Sequence, residues 1–183
     1  DDELFGPLKT AKPNPGHYAL AELEARGILR YIITQNVDSL HRVAGSRNVA
    51  EIHGNRTMLR CINCAARFPR TEFHIDPDNL PPLCPECGGI IKGDGVMFGE
   101  PIPQDTLVRC FQLVERCDCM LVIGTSGTVH PAAGFPRAAR DHGASLVEVN
   151  LYDTPFSQEC DVALRGPSGE ILPRLLERVG SGG

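Results

Sequence analysis

Short apolar runs rich in β-branched residues alternate along this chain with longer stretches of helical periodicity. The runs predicted as strands cover residues 28–34, 49–53, 120–123, 145–150 and 162–164. Helices are predicted over residues 17–27, 39–44, 103–116, 132–142 and 171–179, and irregular chain over residues 1–12 and 180–183. Because strand, crossover helix and strand repeat, the pattern predicts an α/β fold with a doubly wound parallel sheet.

Two Cys-x-x-Cys pairs interrupt this alternation. Cys61 and Cys64 form the first pair, and Cys84 and Cys87 form the second. This spacing is typical of two knuckles that bind one tetrahedral zinc through four thiolates, which leaves no position for a reactive water. We therefore predict a structural zinc, which is favoured over a pair of disulfides, in an inserted module at residues 56–98. Residues 1–55 and 99–183 would form the α/β domain.

Composition and charge narrow the class of protein. The 183 residues are 42% apolar and carry a formal charge of −5, with no run of 18 or more apolar residues and no block of Lys or Arg. We therefore expect no membrane segment and no direct nucleic-acid partner. Eight cysteines without a visible secretory signal indicate a reducing compartment, which predicts a cytoplasmic protein. The remaining cysteines are predicted to be buried thiols: Cys110, Cys117, Cys119 and Cys160.

Polar side chains cluster where the predicted strands end. They are Gln35, Asn36, Asp38, Ser126 and Asn150, with His53 at the end of the second strand. The carboxyl ends of parallel strands lie along one sheet edge, so these residues are expected to line a common crevice. Glycines at residues 124 and 127 let backbone N–H groups approach a ligand, and the imidazole of His53 can exchange a proton near neutral pH. The convergence indicates a nucleotide site.

The segment Gly93–Glu100 mixes glycines with apolar residues. Such a segment can accept an extended peptide as an added strand. On composition alone, a linker that returns from the zinc module is an equally good interpretation.

Several motifs occur in one order along the chain. They are 34-TQNVDSLH-41, 51-EIHG-54, the two Cys-x-x-Cys pairs, 98-FGE-100, 124-GTS-126, 131-PAA-133 and Val149-Asn150. From about Pro13 to the last helix the chain resembles the sirtuins, NAD-dependent protein lysine deacylases, and most resembles their bacterial members. The resemblance implies a Rossmann-like NAD-binding domain with an inserted zinc module.

The resemblance also implies roles for individual residues. His53 would be the general base, with Asn36 and Asp38 as its catalytic partners. Residues implied in NAD binding are Gln35, Asn36, Val37, Asp38, Gly124, Thr125, Ser126, Asn150 and Val162. Residues implied in binding the acyl-lysine peptide are Val96, Phe98, Gly99, Val129 and His130.

The implied reaction begins when the acyl oxygen of the substrate lysine attacks the ribose carbon that carries nicotinamide. His53 then takes a proton through the ribose hydroxyls, and the products are deacylated lysine, nicotinamide and O-acyl-ADP-ribose. Zinc takes no part.

The chain departs from the sirtuin pattern in two places. The first strand and its Gly-Ala-Gly-x-Ser loop are absent, so we expect the 183 residues by themselves to bind NAD weakly and to show little or no activity. His130 stands where many relatives have an aromatic residue.

Two other classes of protein fit parts of the sequence. A non-catalytic acyl-lysine or nucleotide binding module would keep the crevice and release no nicotinamide. A zinc-ribbon interaction protein would leave the polar strand ends without a role. A zinc hydrolase is disfavoured because four thiolates close the metal site.

Overall fold

A computed structural model of the chain describes residues 11–179. Most of the predicted irregular start, residues 1–10, and the predicted loose tail, residues 180–183, lie outside this range. The α-helices are α1 (Pro15–Ala25), α2 (Leu40–Val43), α3 (Gln104–Val114), α4 (Phe135–Asp141) and α5 (Ser168–Val179). The strands are β1 (Ile32–Thr34), β2 (Val49–Glu51), β3 (Met58–Cys61), β4 (Arg67–Pro69), β5 (Ile91–Gly93), β6 (Cys119–Ile123), β7 (Ser145–Asn150) and β8 (Val162–Arg165). Short 3-10 helices cover Ala132–Gly134 and Ser157–Glu159.

The chain divides into two compact units. Among the described residues, the first contains residues 11–32, 40–49 and 108–179, and the second contains residues 33–39 and 50–107. The module predicted for residues 56–98 lies wholly within the second unit, and its exact bounds stay a prediction.

The first unit is built on the parallel sheet β6-β7-β8. Its core joins α1 and α5 to one sheet face through Leu20, Leu23, Val149 and Leu172, each 5% exposed or less. Burial of apolar side chains on this scale is the main force that holds helices against a sheet. The parallel sheet with packed helices confirms the predicted α/β class.

Helix α1 begins two residues before the predicted start, at Pro15, because Asn14 caps it there. Its end at Gly27 agrees with the prediction and explains a correction to the next strand. Asn14 caps the helix, because its side chain accepts hydrogen bonds from the N–H groups of Gly16 (2.9 Å) and His17 (3.2 Å). Gly27 ends it at a φ of +72°. The next two N–H groups, at residues 28 and 29, donate back to the carbonyl of Leu23. Those residues therefore belong to the helix cap, and the strand predicted over 28–34 begins at Ile32.

The helix predicted over residues 132–142 is also shorter than expected. A 3-10 turn occupies Ala132–Gly134, and α4 covers Phe135–Asp141. Pro136 lies in the first turn of α4, where its missing N–H costs no hydrogen bond, so the α-helix begins there.

The second unit contains an antiparallel sheet in the order β4-β3-β5. Its core is small, since the buried cluster consists of Leu59, Ile91, Cys61 and Cys84 with Phe68 and Phe73 beside it. A core of this size needs additional stabilisation, and metal ligation is the usual source in small domains.

Candidate functional site

The turn after β1 places three polar side chains in the second unit. Thr34 is buried and its hydroxyl accepts a hydrogen bond from the Asn36 N–H at 3.1 Å, which folds the chain sharply at the strand end. Gln35 and Asp38 are half-buried and the side chain of Asn36 is exposed. Ser39 closes the turn with a φ of +66°, a conformation that residues other than glycine seldom adopt.

His53 is held close to this turn. It follows β2, and the Ile52 N–H donates to the Thr34 carbonyl at 3.0 Å, so the two segments stay paired up to the histidine. Its Nδ1 lies 3.2 Å from the Gln35 carbonyl oxygen. Because a carbonyl oxygen can only accept, the contact favours the tautomer with the proton on Nδ1. Nε2 is then the proton acceptor of a half-buried imidazole.

The segment Gly93–Glu100 is fixed against His53. The Val96 N–H donates to the His53 carbonyl at 3.0 Å. Glu100 accepts from Lys92 at 2.7 Å and from the Met97 N–H at 3.0 Å, and these hydrogen bonds hold the pKa of Glu100 below its usual value. The segment is therefore an organised loop rather than a loose linker. Phe98 at its tip is fully exposed, and Gly99 has a φ of +81°.

A buried carboxylate anchors this loop. Asp94 is 3% exposed, accepts a hydrogen bond from the Asn55 N–H at 2.8 Å, and forms ion pairs with Arg60 and Arg67. Gly54 lies so close that an added Cβ would meet the Asp94 carbonyl oxygen at 2.1 Å. Only glycine fits at residue 54, because the two backbones touch there.

The four predicted zinc ligands converge in the second unit. The sulfurs of Cys61, Cys64, Cys84 and Cys87 lie within 4.8 Å of one another. Two of the pairs are 3.5 Å apart for Cys61 with Cys87 and 3.7 Å for Cys64 with Cys84. Zn–S bonds of about 2.3 Å at a tetrahedral centre place sulfurs about 3.8 Å apart, whereas a disulfide requires about 2.05 Å. The donor set thus fits one zinc ion and excludes disulfides among these cysteines.

Without a bound cation, the four thiols of the cluster do not all lose their protons near neutral pH. The Cys64 N–H is the main cause that lowers the pKa of Cys61 to about 7. At Cys64 the Ala66 N–H favours the thiolate, but contacts with neighbouring sulfurs and burial outweigh it and raise the pKa to about 12. Four adjacent thiolates repel one another, so a divalent cation is what allows the full set to deprotonate.

The first unit carries the other predicted nucleotide-binding residues. Asn150 ends β7, and its side-chain amide donates to the Thr125 carbonyl at 2.8 Å, which holds together the loops after β6 and β7. The hydroxyls of Ser126 and Thr128 lie 2.8 Å apart. Gly124 and Gly127 have φ values of +58° and +65°. Two neighbouring strand ends therefore present hydroxyls, an amide and glycine turns, as the sequence indicates.

Three further predicted ligand residues are largely exposed side chains of the same unit. Val162 on β8 is 46% exposed, Val129 is 41% exposed, and His130 is exposed. The common crevice of all the strand-end residues, and the individual roles assigned to them, stay predictions.

The expectation that the other four cysteines are buried is correct for Cys110 alone. Cys110 is fully buried, and burial raises the pKa of its thiol to about 11. Cys117 and Cys160 are half-buried, and Cys119 is exposed. The prediction is wrong for Cys119 because β6 begins at this residue, at the end of the strand, where the flanking elements do not cover it.

The sequence interpretation missed a buried ionic cluster behind the Asn150 loop. Glu148 is fully buried and pairs with Arg165 at 2.6 Å, and it accepts hydrogen bonds from Ser157 (2.6 Å) and Thr154. Burial alone would raise the pKa of Glu148, but these hydrogen bonds and Arg165 outweigh it and hold the pKa below its usual value. An acidic residue between two valines, Val147 and Val149, in a predicted buried strand was the available signal.

Comparisons with known proteins agree with this geometry. Residues 4–131 match the model of the Sir2 family. The NAD-dependent protein deacylase of Thermococcus kodakarensis is 47% identical over 173 residues, covering 92% of this chain and 67% of that protein. The structure is similar to a Sir2 homologue in complex with NAD (TM-score 0.81, 41% identity, 95% of this chain and 67% of that one). It is also similar to Sir2Tm bound to a propionylated peptide (TM-score 0.79, 37% identity, 95% and 74%).

Proposed function

The chain belongs to the Sir2 family of NAD-dependent protein deacylases, and we propose that it removes acyl groups from protein lysine side chains with His53 as the general base. The acyl group is transferred to ADP-ribose, and nicotinamide is released. The observation that carries the residue assignment is the contact of His53 Nδ1 with the Gln35 carbonyl, which leaves Nε2 as a proton acceptor.

NAD, when bound, supplies the ribose carbon that accepts the acyl oxygen and the nicotinamide that leaves. His53 accepts a proton from a sugar hydroxyl, which makes the oxygen nucleophilic enough to attack the acyl carbon. Asn36 and Asp38 offer an amide and a carboxylate to the nicotinamide end. Their short turn after β1 gives them a fixed direction, because the Asn36 N–H is bound to Thr34.

The remaining NAD contacts are assigned to the first unit. Gly124, Thr125, Ser126 and Asn150 suit a ribose and phosphate, since they combine exposed N–H groups at glycine turns with hydroxyl and amide side chains. Val162 offers an apolar side chain for the adenine ring, and it is 46% exposed.

Zinc supports the fold and performs no chemical step. The four thiolates of Cys61, Cys64, Cys84 and Cys87 would fill a tetrahedral site, which leaves no coordination position for water or substrate. The ion ties together the knuckles that flank β3 and β5, and Asp94 follows β5 directly.

The substrate is an acyl-lysine within a peptide. Val96 pairs with the His53 backbone, so an extended peptide on this edge would deliver its side chain close to the imidazole. Phe98 and Gly99 of the same loop, and Val129 and His130 of the first unit, are further residues proposed to bind the peptide.

Among residues 11–179, no helix has both the length and the apolarity that crossing a membrane requires. We place the protein in the cytoplasm because its cysteine-rich zinc site requires reduced thiols.

Replacement of His53 by alanine tests the assignment. The zinc-loaded protein, extended upstream with a sirtuin first strand and Gly-Ala-Gly-x-Ser loop, is incubated with acetyl-lysine and succinyl-lysine peptides, with and without NAD, and released nicotinamide is measured. We expect NAD-dependent turnover of this extended protein that falls about 10²- to 10⁴-fold in His53→Ala, since general-base catalysis has this magnitude. The control is His74→Ala, which removes an exposed imidazole of the same unit. Zinc content should be equal in all three proteins, and near-normal turnover in His53→Ala would overturn the assignment.

A further inference from the structure

Asn55, two residues after His53, is a buried amide whose polar groups are all engaged. The side chain is 3% exposed. Its Oδ1 accepts from the Ser39 hydroxyl at 2.8 Å and from the N–H and hydroxyl of Thr57 at 2.9 and 2.8 Å. Its Nδ2 donates to Glu51 at 2.6 Å, and its backbone N–H donates to Asp94 at 2.8 Å.

These hydrogen bonds join three separate segments of the second unit. Ser39 closes the turn that carries Asn36 and Asp38, Glu51 ends the strand before His53, and Asp94 begins the loop that carries Val96. Ser39 and Asn55 are 16 residues apart in sequence, and Asn55 and Asp94 are 39 apart. A single residue therefore sets the spacing of three parts of the site. The Asn55 side chain joins the nicotinamide turn to the strand before the base, and the Asn55 backbone N–H joins the peptide loop.

The bond to Ser39 holds the turn in an unfavourable backbone conformation. Ser39 has a φ of +66°, a conformation that costs a non-glycine residue free energy. It persists only where surrounding contacts hold the backbone in place. The Ser39 hydroxyl is oriented by Asn55, and the backbone beside it is held by the Arg56 N–H, which donates to the Val37 carbonyl at 3.0 Å. Changing the Asn55 side chain weakens the first of these two contacts, the bond to the Ser39 hydroxyl, and leaves the bond between Arg56 and Val37.

We propose that Asn55 is a positioning residue that fixes the imidazole of His53 relative to the turn bearing Asn36 and Asp38. It touches no reacting atom: its side chain acts through Ser39 and Glu51, and its backbone N–H binds Asp94. The inference rests on the proposed function, because its principal readout is deacylation.

The position requires an amide, because a carboxylate of the same shape has no N–H group to donate to Glu51. Nδ2 supplies the proton in the bond to Glu51, and an aspartate there would place a second carboxylate 2.6 Å from the first. Charged groups close to this site include Arg56 and Asp38, which are next to Asn55 and Ser39 in sequence, and Asp94 with its partners Arg60 and Arg67. Two adjacent carboxylates avoid repulsion by sharing one proton, so the defect of such a variant depends on pH.

The test is Asn55→Asp in the upstream-extended protein, assayed for deacylation between pH 6 and 9. We expect the kcat at pH 8 to fall about 10²-fold, the effect of a misplacement near 1 Å, while the KM for the peptide changes less than about 2-fold. The ratio of variant to wild-type kcat should rise as the pH is lowered, because the shared proton restores the bond. The control is Asn79→Asp, an exposed amide that donates to Asp76 at 2.7 Å, and its ratio should stay near one.

A kcat ratio for Asn55→Asp near one at every pH overturns the proposal, as does a lowered ratio that does not vary with pH. If Asn55→Asp loses its zinc and does not fold, Ser39→Ala takes its place, since it removes one bond to the same amide. We then expect about a 10-fold lower kcat with an unchanged KM, and an unchanged kcat overturns the proposal.

Absence of NAD-dependent turnover in the extended protein that carries the wild-type 183 residues defeats the proposed function rather than this inference. In that case, amide hydrogen exchange of residues 36–39 and 53–57 tests whether Asn55 has the proposed positioning role. Faster exchange of both segments in Asn55→Asp, with unchanged exchange in Asn79→Asp, supports the positioning role. Equal exchange in Asn55→Asp and the wild type overturns it.

Discussion

Replacement of Gly54 by alanine should destabilise the second unit strongly. Gly54 has a φ of +78°, and an added Cβ would lie 2.1 Å from the Asp94 carbonyl oxygen and 2.7 Å from its carbon. Both atoms belong to the backbone, so a change of side-chain rotamer cannot relieve the clash. The segments on either side must separate.

The free-energy cost follows from what this separation breaks. The left-handed conformation alone costs a non-glycine residue about 1 kcal/mol. Moving the two backbones apart also stretches the bond from the Asn55 N–H to Asp94 (2.8 Å) and the bond from the Val96 N–H to His53 (3.0 Å). A buried hydrogen bond contributes about 1 kcal/mol, and one to a charged group about 1.5–3 kcal/mol. We therefore expect Gly54→Ala to lower the free energy of unfolding by about 3–5 kcal/mol.

Gly27→Ala is the matched control. Gly27 has a φ of +72°, and no atom lies within 4 Å of its added Cβ, so this variant carries the conformational cost without the clash. Thermal unfolding of the zinc-loaded proteins, followed by circular dichroism, should show a Tm lowered by about 2–4 °C for Gly27→Ala. At the same change in Tm per kcal/mol, the Tm of Gly54→Ala should fall by about 6–20 °C. Equal losses in the two variants would refute the argument, because the backbone contact with Asp94 would then contribute nothing.

Two further predictions concern the metal site and the buried ionic cluster. Cys84→Ser should abolish stoichiometric zinc binding, measured by a colorimetric zinc assay, whereas Cys119→Ser should keep one zinc per chain because Cys119 is outside the cluster; retention of zinc by Cys84→Ser would contradict the ligand assignment. Glu148 has a folded-state pKa below its usual value, so its contribution to stability is present at neutral pH and is lost as the pH falls through that lower pKa. Glu148→Gln should therefore lower the Tm at pH 7, and the difference from the wild type should narrow between about pH 5 and 3. A difference that stays constant over this range would contradict the stabilising role of the ionised carboxylate.

Much of the fold could be predicted because the relevant information is local. The strand Ser145–Asn150 has the predicted bounds, and the strand and helix patterns of the first unit predicted its parallel sheet. The zinc ligands were identifiable from the Cys-x-x-Cys spacing, since a knuckle is set by residues that are close in sequence. Element ends were less predictable: the residues after Gly27 belong to a helix cap, although their apolar side chains suggested a strand.

The sequence alone determined which chemical groups the protein carries: four thiolates for one metal, a histidine after a strand, and amides, hydroxyls and a carboxylate at strand ends. The tertiary structure decided which groups meet. Asn55 bonds to Ser39 and Asp94, and Glu148 bonds to Arg165, because strand register and loop packing bring distant segments together. Residue spacing encodes a helix, a strand or a knuckle, but a buried hydrogen bond between segments depends on how the whole chain packs.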